Sequence, residues 1–142
     1  MFLNEMHQQV RDMTRQFAND VIRPLAEELD HEERFPTEIY AQMAELGLFG
    51  ICVPEDMGGP GFDVVTYSIV MEELSRGYAS VADQCGLVEL ISTLLVQHGT
   101  STQRDQWLPD LLAAKTRAAY CITEPEAGTD VSGILEKPRT EQ

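Results

Sequence analysis

Between Ser80 and His98 the chain carries Cys85, Leu87, Val88, Leu90, Ile91, Leu94, Leu95 and Val96, so apolar side chains fall around most of a helical circumference. A helix of that kind has little surface to offer water and needs neighbours on several sides. The stretch therefore predicts a helical bundle with this helix in its middle. Ser80 followed by Asp83 offers a capping box at its start, with Asp in place of the usual Glu, and Gly99 offers its end.

The neighbours are legible by the same periodicity. Phe2, Met6, Val10, Met13, Phe17, Val21, Leu25 and Leu29 recur every three or four positions, which predicts a one-faced amphipathic helix. Pro24 lies inside that stripe and predicts a division near Ile22, while His7 falls off the stripe and is expected to face solvent. Phe35-Pro36-Thr37 opens a second helix with Ile39, Met43 and Leu46 on its buried face and Gly47 in the left-handed position after it. A short apolar run, Phe49 to Val53, ends at Pro54.

The stretch from Glu55 to Phe62 contains Gly58, Gly59, Pro60 and Gly61 and reads as a tight connection between helices. It lacks the Lys-Ser/Thr of a P-loop and the G-x-G-x-x-G spacing. Asp63 caps the next helix, whose core face is Val64, Tyr67, Val70, Met71 and Leu74 and whose stop is Gly77. Glu72 and Glu73 point about 100° apart on it, so they read as surface carboxylates, one paired with Arg76, rather than as a catalytic pair. Ser101 or Thr102 caps a last helix over 103–107, and Pro109 opens a short segment with Leu111, Leu112 and Ala113.

Composition removes several functions. With 24 acidic against 10 basic residues and a net charge of −14, no basic stripe exists for nucleic acid. Cys52, Cys85 and Cys121 stand far apart with no C-x-x-C, which predicts buried thiols in a reducing compartment, and His7, His31 and His98 are scattered without H-E-x-x-H, so no metal site is expected. No basic leader with an apolar core opens the chain, and no uninterrupted apolar run reads as a membrane span. A cytoplasmic protein without membrane insertion is the expectation. At 142 residues a single compact domain would bury roughly two-thirds of its unfolded surface.

The candidate site lies near the far end. Ala118 to Ile122 reads as a strand, Thr123-Glu124-Pro125 breaks it, and Ala127-Gly128-Thr129-Asp130 forms a turn in which Gly128 lets the backbone approach a bound group. The hydroxyl and N–H of Thr123 can face a ring that gains electron density, and the N–H groups and hydroxyl around Gly128 and Thr129 can hold phosphate oxygens. Taken locally, a plain turn is the more frequent origin of such residues.

The order of residues is more specific. T-E-P-x-A-G-T-D from Thr123 to Asp130, preceded by Tyr120-Cys121-Ile122 and followed by Ser132-Gly133, resembles the flavin signature of the acyl-CoA dehydrogenase family. Phe35-Pro36, Glu45-Leu46-Gly47-Leu48, Val53-Pro54-Glu55 with Gly58, Gly59 and Gly61, and Glu72-Glu73-Leu74-Ser75-Arg76 resemble that family's landmarks in the family's order, over about Met1 to Ile134. The resemblance implies an all-α fold class, the N-terminal helical bundle of that family over 1–117, ending in the first strand of an incomplete middle β-domain over 118–142. It implies FAD as cofactor, with Tyr120, Cys121 and Ile122 beside the ring system, Thr123 on its pyrimidine edge, and Gly128 and Thr129 at the phosphates. Thr129 also falls where the family touches the acyl-CoA substrate.

The implied reaction is α,β-dehydrogenation of an acyl-CoA thioester, with electrons passing from FAD to an electron-transferring flavoprotein, in a homo-oligomer. The family's catalytic glutamate lies in a C-terminal domain, so no catalytic residue is expected among these 142 and the chain reads as an inactive N-terminal portion. Two other readings remain open. One is a non-catalytic helical module that associates with related subunits, and the other is a different flavoenzyme of the same fold, such as a nitroalkane oxidase.

Overall fold

The structure, a computed structural model, describes residues 3–134, so the expectations placed on Phe2 and on the polar stretch 135–142 lie outside the described residues. Six α-helices carry the fold: α1 (Glu5–Phe17), α2 (Ala26–Glu32), α3 (Thr37–Glu45), α4 (Val64–Gly77), α5 (Ala79–His98) and α6 (Ser101–Leu112). Helix α4 packs between α1 and α5, and α6 lies against α5. One core runs through them, built from Ile22, Leu29, Ile39, Met43, Leu48, Ile51, Val70, Leu74, Val81, Cys85, Val88 and Leu111 among others.

Helix α1 begins with a capping box in which the Asn4 side chain accepts from the His7 N–H at 2.8 Å and His7 Nδ1 accepts from the Asn4 N–H at 3.3 Å. Because Nδ1 accepts, Nε2 carries the proton and donates to the Asp63 carboxylate at 3.3 Å. His7 is therefore buried, at 4% exposure, and not solvent-facing. The cap bends the side chain back over the first turn, and its second partner comes from another helix, so the stripe could not place it.

Pro24 divides the first helix as expected. It has no N–H to donate and its ring crowds the carbonyl four residues back, and the chain widens into a π turn over Ala18–Ile22 and tightens into a 3₁₀ turn over Arg23–Leu25 before α2. The end of α4 rests on that π turn. A Cβ on Gly77 would stand 3.0 Å from the Ala18 carbonyl oxygen and 3.0 Å from Ile22 Cβ, so any larger residue would push the two elements a few tenths of an ångström apart.

Helix α3 buries Ile39, Tyr40 and Met43, but Leu46, expected on that face, is the residue after its last turn and is 41% exposed. Gly47 follows with φ +69°. The connection to α4 spends its own N–H groups: Phe62 donates to the Ile51 carbonyl at 2.9 Å, Gly61 to Val53 at 2.9 Å and Gly59 to Pro54 at 3.2 Å. It is a closed turn, with those donors unavailable to a phosphate.

Asp63 caps α4 by accepting from the Thr66 N–H and hydroxyl, each at 2.8 Å. These bonds, the backbone one first, hold its carboxyl below the ordinary range. Along α4 the core face is Thr66, Ile69, Val70, Glu73 and Leu74, while Val64 points outward at 66% exposure. Glu72 pairs with Arg76 at 2.7 Å on the surface, but Glu73 is fully buried, contrary to its reading as a surface carboxylate. Arg15 of α1 donates to it twice, at 2.7 and 3.0 Å, with Arg11 at 3.6 Å and Arg76 at 3.5 Å. The Arg15 hydrogen bonds hold the Glu73 carboxyl below its usual range against the opposing effect of burial. This pairing staples α1 to α4.

Helix α5 starts one residue before Ser80, after an extended Tyr78 with no side-chain cap, so the Ser80–Asp83 capping box is not formed. Its buried residues are Val81, Ala82, Cys85, Val88, Glu89 and Ser92, on one face, while Leu90 is 38% and Leu94 43% exposed. It is a wall of the bundle, not its middle. With 20 residues and a mean hydropathy of 1.4 it also has the length and composition of a membrane span, contrary to the sequence reading, although here it buries a glutamate and packs on α4 and α6.

Thr100, not Ser101 or Thr102, caps α6, in a capping box with Gln103, and the helix continues through Pro109 to Leu112. Leu108 and Leu111 on either side of the proline are buried in the core, and that packing holds the turn whose hydrogen bond is lost.

Candidate functional site

The chain leaves α6 through a reversal in which Ala114 takes φ +56° and the N–H groups of Lys115 and Thr116 both donate to the Asp110 carbonyl, at 2.9 and 3.2 Å. Arg117 then lays its guanidinium 3.8 Å from the centroid of the Phe35 ring and donates to Thr37 Oγ1 at 3.5 Å. Phe35 stands edge-on to Tyr40 at 5.3 Å between centroids, and Tyr40 is 4.5 Å from Phe49. Ala118 packs against the core.

From Ala119 to Thr123 the chain is exposed, with Tyr120 at 51% and Ile122 at 36%. The strand expected over Ala118–Ile122 is not formed, and the described residues contain only the isolated bridge between Glu124 and Ala127. A strand needs a partner to take its N–H and C=O groups, and no such partner stands beside this segment among the described residues.

Glu124 and Ala127 exchange both backbone hydrogen bonds, at 2.9 and 3.2 Å, around Pro125 and Glu126. Ala127 is buried at 2% exposure beneath a 3₁₀ turn over Val131–Gly133. The Asp130 carboxylate closes that turn by accepting from the Ser132 N–H at 3.1 Å and from the Ser132 hydroxyl. Thr123, Gly128 and Thr129 stay exposed, and a Cβ at Gly128 would meet nothing within 4 Å. The Thr123 and Thr129 hydroxyls have no hydrogen-bond partner among the described residues. The turn is held by its own bonds, and its remaining donors face outward.

Beside Tyr120 lies a hollow of about 490 Å³, bounded by Asp83, Gly86, Leu87 and Leu90 of α5 and by Ala118, Ala119 and Tyr120. The sequence reading missed these α5 residues. Leu87, Leu90 and Leu94 are spaced as one outward stripe, a signal hidden once the helix was taken as apolar all round.

Sequence readings of the thiols and of metals concern other places. Burial, with Glu89 adding to it, pushes the Cys52 and Cys85 thiols up to about 12. Cys85 donates to the Leu48 carbonyl at 3.0 Å, while Cys121 is exposed and not buried as expected. Among the described residues no group of three or more His, Cys, Asp and Glu is placed to hold a metal.

Residues 4–115 match the family description "Acyl-CoA dehydrogenase, N-terminal domain". The chain is 36% identical, over 99% of its length and 38% of the relative's, to a 3-(aryl)acrylate reductase of Clostridium sporogenes. It is 39% identical, over 85% of its length and 32% of the relative's, to a short-chain specific acyl-CoA dehydrogenase of Clostridium acetobutylicum. Among solved structures, butyryl-CoA dehydrogenase of Megasphaera elsdenii superposes with a TM-score of 0.84 at 31% identity, covering 94% of this chain and 36% of that one. The chain thus spans about a third of the length of the curated relatives it matches.

Proposed function

This chain belongs to the acyl-CoA dehydrogenase family through its N-terminal domain, and from that premise we propose that its Tyr120–Thr129 segment binds a flavin and that the hollow beside Tyr120 takes the apolar part of an acyl-CoA thioester. The observation that carries the reading is the adjacency of the two. Tyr120 lines the hollow with Leu87 and Leu90, and it opens the same segment whose Thr123 and Thr129 hydroxyls have no partner among the described residues. The donor set suits FAD: a hydroxyl at Thr123 for the electron-rich edge of a ring, and an open backbone at Gly128 beside the Thr129 hydroxyl for phosphate oxygens.

When bound, FAD supplies the hydride acceptor for oxidation of the acyl Cα–Cβ bond. What these residues contribute is placement. Tyr120 and Ile122 offer exposed apolar surface for a ring plane, Thr123 donates to its edge, and the α5 wall aligns the chain to be oxidised. Thr129 is the residue assigned to both phosphate and substrate. No proton-abstracting base is assigned here, since Glu72 and Glu73 are committed to arginines and Glu89 to the Cys52 N–H. The same reading sets the domain boundary between 117 and 118, names an electron-transferring flavoprotein as the acceptor, and places a homo-oligomer in the cytoplasm.

An amide-resolved NMR titration of the 142-residue chain with FAD tests it. Shifts concentrated at Thr123, Gly128 and Thr129 are expected, and Thr123→Val should weaken binding by about 1.5–3 kcal/mol, the scale of a hydrogen bond to a charged group. Shifts spread elsewhere, or none at those three amides at millimolar FAD, would reject the assignment.

A further inference from the structure

We propose that Arg117 is a positioning residue for the Tyr120–Thr129 segment, its guanidinium clamped on the Phe35 ring so that the chain leaves the helical body at a set point and direction. The proposal rests on the flavin reading above and adds to it the device that orders the site before a ligand arrives.

Arg117 is an exposed arginine in a chain with 24 acidic residues, yet it forms no ion pair among the described residues. Its cation is instead placed over an aromatic face at 3.8 Å, with a long bond to Thr37 at the start of α3. A planar guanidinium suits a ring face, and the contact is directional in a way an aliphatic chain is not.

What lies under the clamp is rigid. Phe35 leans on Tyr40 and Tyr40 on Phe49, and Tyr40 and Phe49 are 5% and 2% exposed, so a chain of three rings in edge-on and tilted contact joins Arg117 to the core. What lies beyond it is not held in this way. After Ala118 touches the core, residues 119–123 are exposed until the Glu124–Ala127 turn closes on itself. Arg117 and Ala118 are thus the last anchors before the proposed flavin contacts, and ordering a free segment at the moment of binding would lower affinity.

The thiols give a probe. Cys52 and Cys85 have thiols pushed up to about 12, whereas Cys121 is exposed, so a maleimide spin label goes onto Cys121. Label mobility is read in the full chain by electron paramagnetic resonance, and FAD affinity is read separately on unlabelled protein by quenching of flavin fluorescence. Arg117→Ala is expected to increase label mobility and to raise the FAD dissociation constant roughly twofold to fivefold, the range of one exposed cation–π contact. Arg117→Lys should recover part of both, and Arg117→Met, which covers the ring without charge, should recover little. The thermal midpoint should stay near that of the unsubstituted chain, which separates positioning from loss of fold.

Unchanged mobility in Arg117→Ala overturns the proposal, as does higher mobility with unchanged FAD affinity. Full recovery by Arg117→Met also overturns it, since simple covering of the ring would then suffice. If the unsubstituted chain holds no FAD, the flavin reading falls instead, and label mobility alone decides whether the clamp orders this segment.

Discussion

The helical body up to Leu112 and the segment from Ala118 to Ile134 treat their polar groups in opposite ways. In the body Glu73 is buried among Arg11, Arg15 and Arg76, His7 is committed through both ring nitrogens, and the glycine-rich connection before Asp63 consumes its own N–H groups. Exceptions are Arg11 Nε, Thr14 Oγ1, Ser92 Oγ and Glu89 Oε2, which are buried without a hydrogen-bond partner among the described residues. In the segment, the turn at Glu124–Ala127 and the Asp130 cap bond locally, and the exposed Thr123 and Thr129 hydroxyls have no partner among the described residues. Pairing of buried groups serves stability, because an unpaired one costs about 1–3 kcal/mol. Exposed donors pay no such penalty and remain open to a ligand.

The largest expected effect sharpens that contrast. Leu74, 0% exposed in the last turn of α4, should cost about 3 kcal/mol of stability on truncation to Ala, within the range for buried leucines. Ile122→Ala, in the exposed segment, should leave the urea midpoint almost unchanged. A comparable loss from both would mean the segment is part of the cooperative core.

Glu73→Gln should cost about 2 kcal/mol near neutral pH, as charge-assisted bonds to Arg15 are replaced by weaker ones. The pH dependence has a definite sign. The folded-state carboxyl of Glu73 is held below its unfolded value by Arg15, so its stabilisation is complete above the unfolded carboxylate range and is lost as pH falls through the folded-state value. Acid titrations of stability should therefore be shallower in Glu73→Gln. Equal slopes would show that the staple is not what acid releases.

The smallest effect sits at the border between the two regions. Ala114 holds φ +56°, a conformation that favours glycine, so Ala114→Gly should stabilise the chain by about 0.5 kcal/mol. A loss of stability of similar size would mean that the entropy of the unfolded chain outweighs the strain relieved at this turn.

Much of the architecture could be read locally. Asp63, Gly47 and Pro24 cap, stop or break helices for reasons contained in a few neighbouring atoms, and each does so where the residues placed it. The turn after Thr123 was legible too, because Pro125 and Gly128 interrupt regular structure within a few positions. The α5 wall of the hollow was not, since a helix rich in leucine and valine does not announce which of its faces is covered.

By itself, then, the sequence determined where α4 begins, where α3 ends and where the first helix breaks, but not the caps of α5 and α6 or the run of α6 through Pro109. Only the tertiary structure decided that His7 and Glu73 lie inside, that α5 is a wall with an open apolar stripe, and that Arg117 meets Phe35. These depend on partners 56, 58 and 37 positions away for His7, Glu73 and the Cys85–Leu48 contact, and 80 for Arg117 with Thr37. Capping and turn chemistry act within a few residues of backbone, whereas burial and pairing are properties of whichever element arrives opposite, and that is set by how the whole bundle packs.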